Sequence, residues 1–136
     1  MAIQSIIPYL ILGGRADDAL AFYHEALGAE VSALTRFGDM DDSCPTAMRE
    51  RVMHAELQLG AARIMLSDGP MESPPAGGTV SVAIGFDDPN QIRRGFDRLA
   101  IGGMIVQPLF DSPWGTLFGV VVDQFGVSWM LDCPKA

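Results

Sequence analysis

Two cysteines in 136 residues, Cys44 and Cys133, are too few and too unpatterned for a disulfide framework or a zinc knuckle. Positive charge is scarce too. Nine Lys and Arg stand against seventeen Asp and Glu, a formal net charge of -8, and a field of that sign repels phosphate backbones and anionic membranes. Neither nucleic acid nor a membrane is therefore expected as a partner. No apolar stretch reaches the ~20 residues of a membrane span. The opening Met-Ala-Ile-Gln-Ser-Ile-Ile-Pro has no basic n-region, so a soluble cytoplasmic protein is the expectation. The pairs Gly13-Gly14, Gly77-Gly78 and Gly102-Gly103 are not followed by Lys-Ser/Thr, and no GxGxxG occurs, so these glycines read as turns and caps rather than a phosphate loop.

What the chain does have is apolar residues, 49% of the total, enough for the core of one domain spanning 1–136. Ser5 to Leu12 reads as a strand closed by Gly13-Gly14. Arg15 to Leu27 reads as a helix, with Ala16, Leu20, Tyr23 and Leu27 at helical spacing, Asp17 and Asp18 at the positive end of the dipole and Gly28 as cap. Glu30 to Phe37 returns as a strand. Gly38 to Arg51 is acidic and aperiodic, and is expected to be a mobile flap with no ladder partner. Val52 to Asp68 is a hairpin about Gly60. Gly69 to Gly78 is rich in Pro and Gly and reads as a linker.

The order then repeats. Thr79 to Phe86 is a strand, Asp88-Pro89 opens a helix with the stripe Ile92, Phe96 and Leu99, and Met104 to Leu109 is a strand. Phe110 to Pro113 reads as a loop, and Trp114 to Cys133 as a hairpin about Asp123-Gln124-Phe125-Gly126. Ile64-Met65-Leu66-Ser67-Asp68 echoes Trp129-Met130-Leu131-Asp132-Cys133, which marks an internal repeat. Phe22 lies as far before Gly28 as Phe96 before Gly102, so these two residues are expected to be equivalent buried anchors. The fold class is α+β: two tandem βαβββ modules, 1–68 and 79–136, joined by the linker 69–78.

A module with one helix covers one face of its sheet and leaves the other free. Along the first hairpin Met53, Ala55, Leu57 and Leu59 form the helix-facing row and His54, Glu56 and Gln58 the opposite one. In the repeat Val80, Val82, Ile84 and Phe86 face the helix, leaving Ser81, Ala83 and Gly85. The free faces suggest a curved mixed sheet around a concave cavity, the usual setting for a small molecule.

Pro8-Tyr9-Leu10, Ala19 with Phe22-Tyr23 and Leu27-Gly28, Val52-Met53-His54-Ala55, Met65-Leu66-Ser67-Asp68, Trp114-Gly115 with Phe118-Gly119, and Asp123-Gln124-Phe125-Gly126-Val127 with Trp129-Met130 carry a resemblance over nearly the whole chain. In these stretches the sequence resembles the vicinal oxygen chelate superfamily, the glyoxalase, bleomycin-resistance and extradiol-dioxygenase fold, in its PhnB-like branch. Metal-dependent members carry His, Gln or Glu ligands at positions that fall here on Ile7 or Pro8, Met65, Ser81 or Val82, and Met130. None offers an imidazole or carboxylate, so no metal and no cofactor is expected. The resemblance also implies a homodimer. Some PhnB-like sequences carry methyltransferase labels, but nothing here resembles a nucleotide-methyl-donor site.

His54 and Glu56, ~7 Å apart along one strand face, are the candidate catalytic residues, either an acid–base pair or part of a hydrogen-bonded sheet surface. Arg63 and Ser67 belong to the neighbouring strand. Ligand contacts are expected from Tyr9, His54, Glu56, Arg63, Met65, Ser67, Ser81, Trp114 and Met130, whereas Trp129 and Phe118 are expected in the core. His24, beside Glu25, reads as a surface residue. The expected function is binding or sequestration of a neutral or cationic, partly apolar small molecule without the usual metal. The alternative is a lyase or isomerase of the glyoxalase type, working through displaced ligands or metal-free acid–base chemistry.

Overall fold

The structure, a computed structural model, describes residues 5–40, 43–69 and 80–135. The chain divides into two compact units, Met1–Pro75 and Ala76–Ala136. In the first unit the order is β1 (Tyr9–Ile11), α1 (Ala16–Leu27), β2 (Glu30–Arg36), the helical turn α2 (Phe37–Met40), a 3-10 turn at Thr46–Met48, β3 (Val52–Leu59) and β4 (Ala62–Ser67). The second contains β5 (Val82–Gly85), α3 (Pro89–Leu99), β6 (Met104–Asp111), β7 (Thr116–Val122) and β8 (Ser128–Pro134). Each unit is a βαβββ module with one four-stranded mixed sheet, ordered β1-β4-β3-β2 and β5-β8-β7-β6. In both, the first strand runs parallel beside the last, and the other neighbours are antiparallel.

Side-chain alternation and the helix decide the faces. Ala55 and Leu57 on β3 and Ile64 and Leu66 on β4 are buried, and α1 lies over β3. In the second unit α3 lies over β7 and β8, and the buried row is Leu117, Gly119, Val121, Trp129 and Leu131. Gly119 is required there: a Cβ would stand 2.7 Å from Phe96 and 2.9 Å from Leu109, so only glycine lets the Phe96 ring approach the sheet. This turns Phe118 to the open face, correcting its expected place in the core. Thr-Leu-Phe-Gly-Val-Val-Val is apolar on both rows, so ring size misleads where the glycine decides.

The helix overlay is also corrected. Phe96 is buried, but its counterpart in α1 is Tyr23, while Phe22 is only half-buried. Gly28 is a left-handed cap bonded back to α1, whereas α3 ends at Ala100 in right-handed geometry, two residues before Gly102. Counting back from the glycines therefore slips by one residue, a rotation of about 100°. Ala26, three residues after Tyr23, is buried in place of Leu27, which is half-buried.

Several element limits differ from expectation. Only Tyr9–Ile11 of the first run and Val82–Gly85 of the fifth are strand, and Thr79 lies outside the described residues, as do residues 70–78 of the linker. Val80 is exposed rather than turned to the helix. Strand β6 continues through Phe110 and Asp111, which were expected in a loop, because it pairs with Phe118 and Leu117. The acidic stretch 38–51, whose Asp41 and Asp42 lie outside the described residues, contributes no strand among its described residues, but its two ends are tied together by backbone hydrogen bonds. The N–H of Phe37 donates to Arg51 O at 3.1 Å, and that of Gly38 donates to Arg49 O at 3.0 Å. Arg36 ties this base to α1 by donating to both carboxylate oxygens of Asp17, at 2.8 and 2.9 Å. That hydrogen bonding holds the Asp17 carboxyl below its usual range despite partial desolvation.

Candidate functional site

The free face of the first sheet carries a continuous polar chain. Register sets it up: Tyr9 on β1 pairs with Met65 on β4, which pairs with Glu56 on β3, so the three form one row across the sheet. The Tyr9 ring reaches over β4, bringing its Oη to 3.0 Å from His54 Nδ1. His54 Nε2 lies 3.4 Å from Glu56 Oε2, and Arg63 Nη1 donates to Glu56 Oε1 at 2.9 Å. When the Tyr9 phenol donates to Nδ1, a neutral imidazole carries its proton on Nε2, which faces the carboxylate. A hydroxyl is thus backed by an imidazole, which is itself oriented by an acid, and the guanidinium balances that acid's charge. The same logic lets a base be held by a third group. The His54 side chain is 30% exposed and that of Glu56 22%, so both are reachable and partly desolvated.

The other expected residues are less alike. Met65 is half-buried on the same face, paired with Tyr9 in the register of β1 and β4. The Ser67 hydroxyl is buried, donating to Val52 O at 3.3 Å and accepting from Gly69 N–H at 2.9 Å, which fixes the exit of β4. His24 is exposed at the end of α1, its Nδ1 bonded to Ala29 O at 2.9 Å.

In the second sheet the same register places Ala83, Met130 and Val120 in one row, matching Tyr9, Met65 and Glu56, and puts Phe118 where the first module has His54. The polar chain is replaced there by an aromatic corner. Trp114 packs edge-on to Phe118 at 5.3 Å between centroids, and Phe110 lies 6.3 Å from each. Ser81 is on this sheet's far edge, its hydroxyl 2.7 Å from that of Ser128. A cleft of about 280 Å³ opens on the helix side, between Pro89 and Arg93 of α3 and Asp111, Leu117 and Cys133 of the strands. Burial, with Asp87, Asp88 and Asp132 adding to it, pushes the Cys133 thiol up, so it stays protonated at neutral pH.

Three aspartates matter that sequence reading passed over: Asp68, Asp123 and Asp132. Each follows or interrupts an apolar strand, which is the one local signal that marks them. Asp68 and Asp123 are buried and accept backbone N–H groups.

Each of the two units is a βαβββ module that leaves one face of its sheet free of its own helix. The chain belongs to the glyoxalase/bleomycin resistance protein/dioxygenase superfamily, whose family model matches residues 5–131. Protein YjdN of Escherichia coli (strain K12) is 31% identical over 94% of this chain and 94% of its own length. Among solved structures, protein PA1353 from Pseudomonas aeruginosa superposes with a TM-score of 0.85 at 33% identity, covering 98% of this chain and all of that one. A Bacillus cereus PhnB protein, titled a putative 3-demethylubiquinone-9 3-methyltransferase, gives 0.75 at 26% identity, with 96% and 99% covered. The chain is thus PhnB-like.

The family's metal-dependent members raise the question of whether these residues fit a metal. Met65 and Met130 occupy equivalent central positions in the two sheets, and their thioethers are poor donors for hard divalent ions. Among the described residues no group of three or more His, Cys, Asp and Glu is placed to hold one. The donor set does not fit the group.

Proposed function

We propose that the protein binds a small, partly apolar molecule, neutral or cationic, on the free face of its first sheet. The observation that carries this reading is the Tyr9–His54–Glu56–Arg63 chain beside Met65, which offers hydrogen-bonding groups at the edge of an adaptable apolar floor. A second reading, metal-free acid–base catalysis of the lyase or isomerase kind, is favoured by the phenol–imidazole–carboxylate alignment, because Tyr9 Oη is set to pass a proton to His54. The methyltransferase label of the Bacillus cereus relative is not adopted, since the sequence has no glycine-rich loop of nucleotide-binding type. A thermal-shift screen of amines, phenols and neutral aromatics tests the reading, because a ligand of the native state raises the melting temperature by mass action. A hit should lose its shift in both His54→Ala and Glu56→Gln. Hits that shift both variants as much as the parent would refute the site. Product analysis with the same hits separates turnover from sequestration.

The functional unit we propose is a homodimer. β6 and β2 are sheet edges, and Met104, Ile105 and Val106 on the first and Val31 and Leu34 on the second are exposed apolar residues. Edges of this kind favour association with another chain. Sedimentation at micromolar concentration should give twice the 14.6 kDa of the chain. A monomer that binds its ligand normally would end the idea.

A further inference from the structure

The free face of the second sheet holds a carboxylate with an unused acceptor. Asp132 is the one charged residue of β8, and its Oδ1 is shielded from solvent with no hydrogen-bond partner among the described residues. A shielded acceptor without a donor is costly and is seldom kept without a reason. Its surroundings are specific. Asp132 pairs directly with Phe118 on β7, the residue that joins Phe110 and Trp114 in the aromatic corner. On its other side it pairs with Gly85 of β5, where an added Cβ would meet nothing within 4 Å, so the space over Gly85, the residue next to Asp132 in the sheet, is open. None of the strands β5 to β8 contains Lys or Arg. Lys135, just beyond β8, lies 3.5 Å from Asp111 instead.

We infer that Asp132 and the Phe110–Trp114–Phe118 corner form a subsite for the ammonium group of a primary or secondary amine. The carboxylate supplies charge and an acceptor for the N–H, and the aromatic faces attract the same cation through their quadrupoles. A divalent metal is disfavoured, because one carboxylate among rings and a thioether falls far short of an oxygen cage. A quaternary ammonium lacks the N–H that the orphan oxygen requires. Met130, two residues back on the same row, is the flexible neighbour able to yield to an incoming group. The inference does not rest on the polar chain of the first sheet, and its test uses different residues.

The test is a titration of the whole protein with benzylammonium at constant ionic strength, followed by amide and indole resonances. Saturable shifts are expected at Trp114, Phe118 and Gly85, with benzyl alcohol and benzyltrimethylammonium binding about tenfold more weakly. Asp132→Asn should weaken benzylammonium by about tenfold, whereas Asp97→Asn, a charge removed from the exposed face of α3, should leave it unchanged. Trp114→Ala, at a position 60% exposed and so safe for folding, should also weaken it and serves if Asp132→Asn fails to fold. Absence of saturable shifts in the parent would overturn the subsite. Equal binding by the alcohol, by Asp132→Asn or by Trp114→Ala would do the same.

Discussion

Replacing Trp129 by alanine should cost about 4–6 kcal/mol, the largest loss expected from any single change. The side chain is fully buried in β8, and its Nε1–H donates to Asp123 Oδ2 at 2.8 Å. Asp123 Oδ1 accepts from Phe125 N–H at 2.9 Å and Val127 N–H at 3.1 Å, so this carboxylate joins the core to the turn of the β7–β8 hairpin. Truncation opens a cavity and removes the indole donor from a carboxylate that is itself only 3% exposed. Trp129→Phe keeps most of the volume and loses chiefly the hydrogen bond, and should cost about 1–3 kcal/mol. Urea midpoints measure both. A loss below about 2 kcal/mol for alanine would mean that Trp129 does not anchor the hairpin.

The second large effect is expected at Asp68. It is 2% exposed; Oδ1 accepts from the N–H groups of Gly14 and Ala16, and Oδ2 from that of Val52, each at 2.8 Å. Arg15 precedes α1 but gives no side-chain cap, so an aspartate at the end of β4 satisfies the helix start from across the module. Asp68→Ala strands three donors and should cost about 3–5 kcal/mol. Asp68→Asn keeps the shape, but whichever way the amide turns, its NH₂ opposes a backbone N–H. It should lose about 2–3 kcal/mol. Amide exchange at Gly14, Ala16 and Val52 should accelerate in both variants; unchanged protection there would contradict the capping role. The second module solves the same problem locally, with Asp88 accepting from Asn90 N–H at 2.8 Å, and has Cys133 at the position of Asp68.

The sequence by itself determined the repeat, the type of each main element and the face of most residues. Those features follow from local rules: the periods of strand and helix, and the glycines at positive φ such as Gly28, Gly60 and Gly126 that end elements where no other residue fits as well. They put His54 and Glu56 on one side of β3 and Ala55 and Leu57 on the other. Tertiary structure decided which of these residues meet. Tyr9 and His54 are 45 positions apart, and only the placing of β4 between β1 and β3 lets the phenol cross to the imidazole. Phe118 went to the open face because Phe96 needed the space above Gly119, and Tyr23 rather than Phe22 is the match of Phe96 because α3 ends without the left-handed cap that closes α1. Asp68 found its donors, and Asp132 Oδ1 has none among the described residues, through strand order and register. Neither has a local energetic signature, because a pairing partner lies far along the chain and its contribution exists only once the sheet has formed.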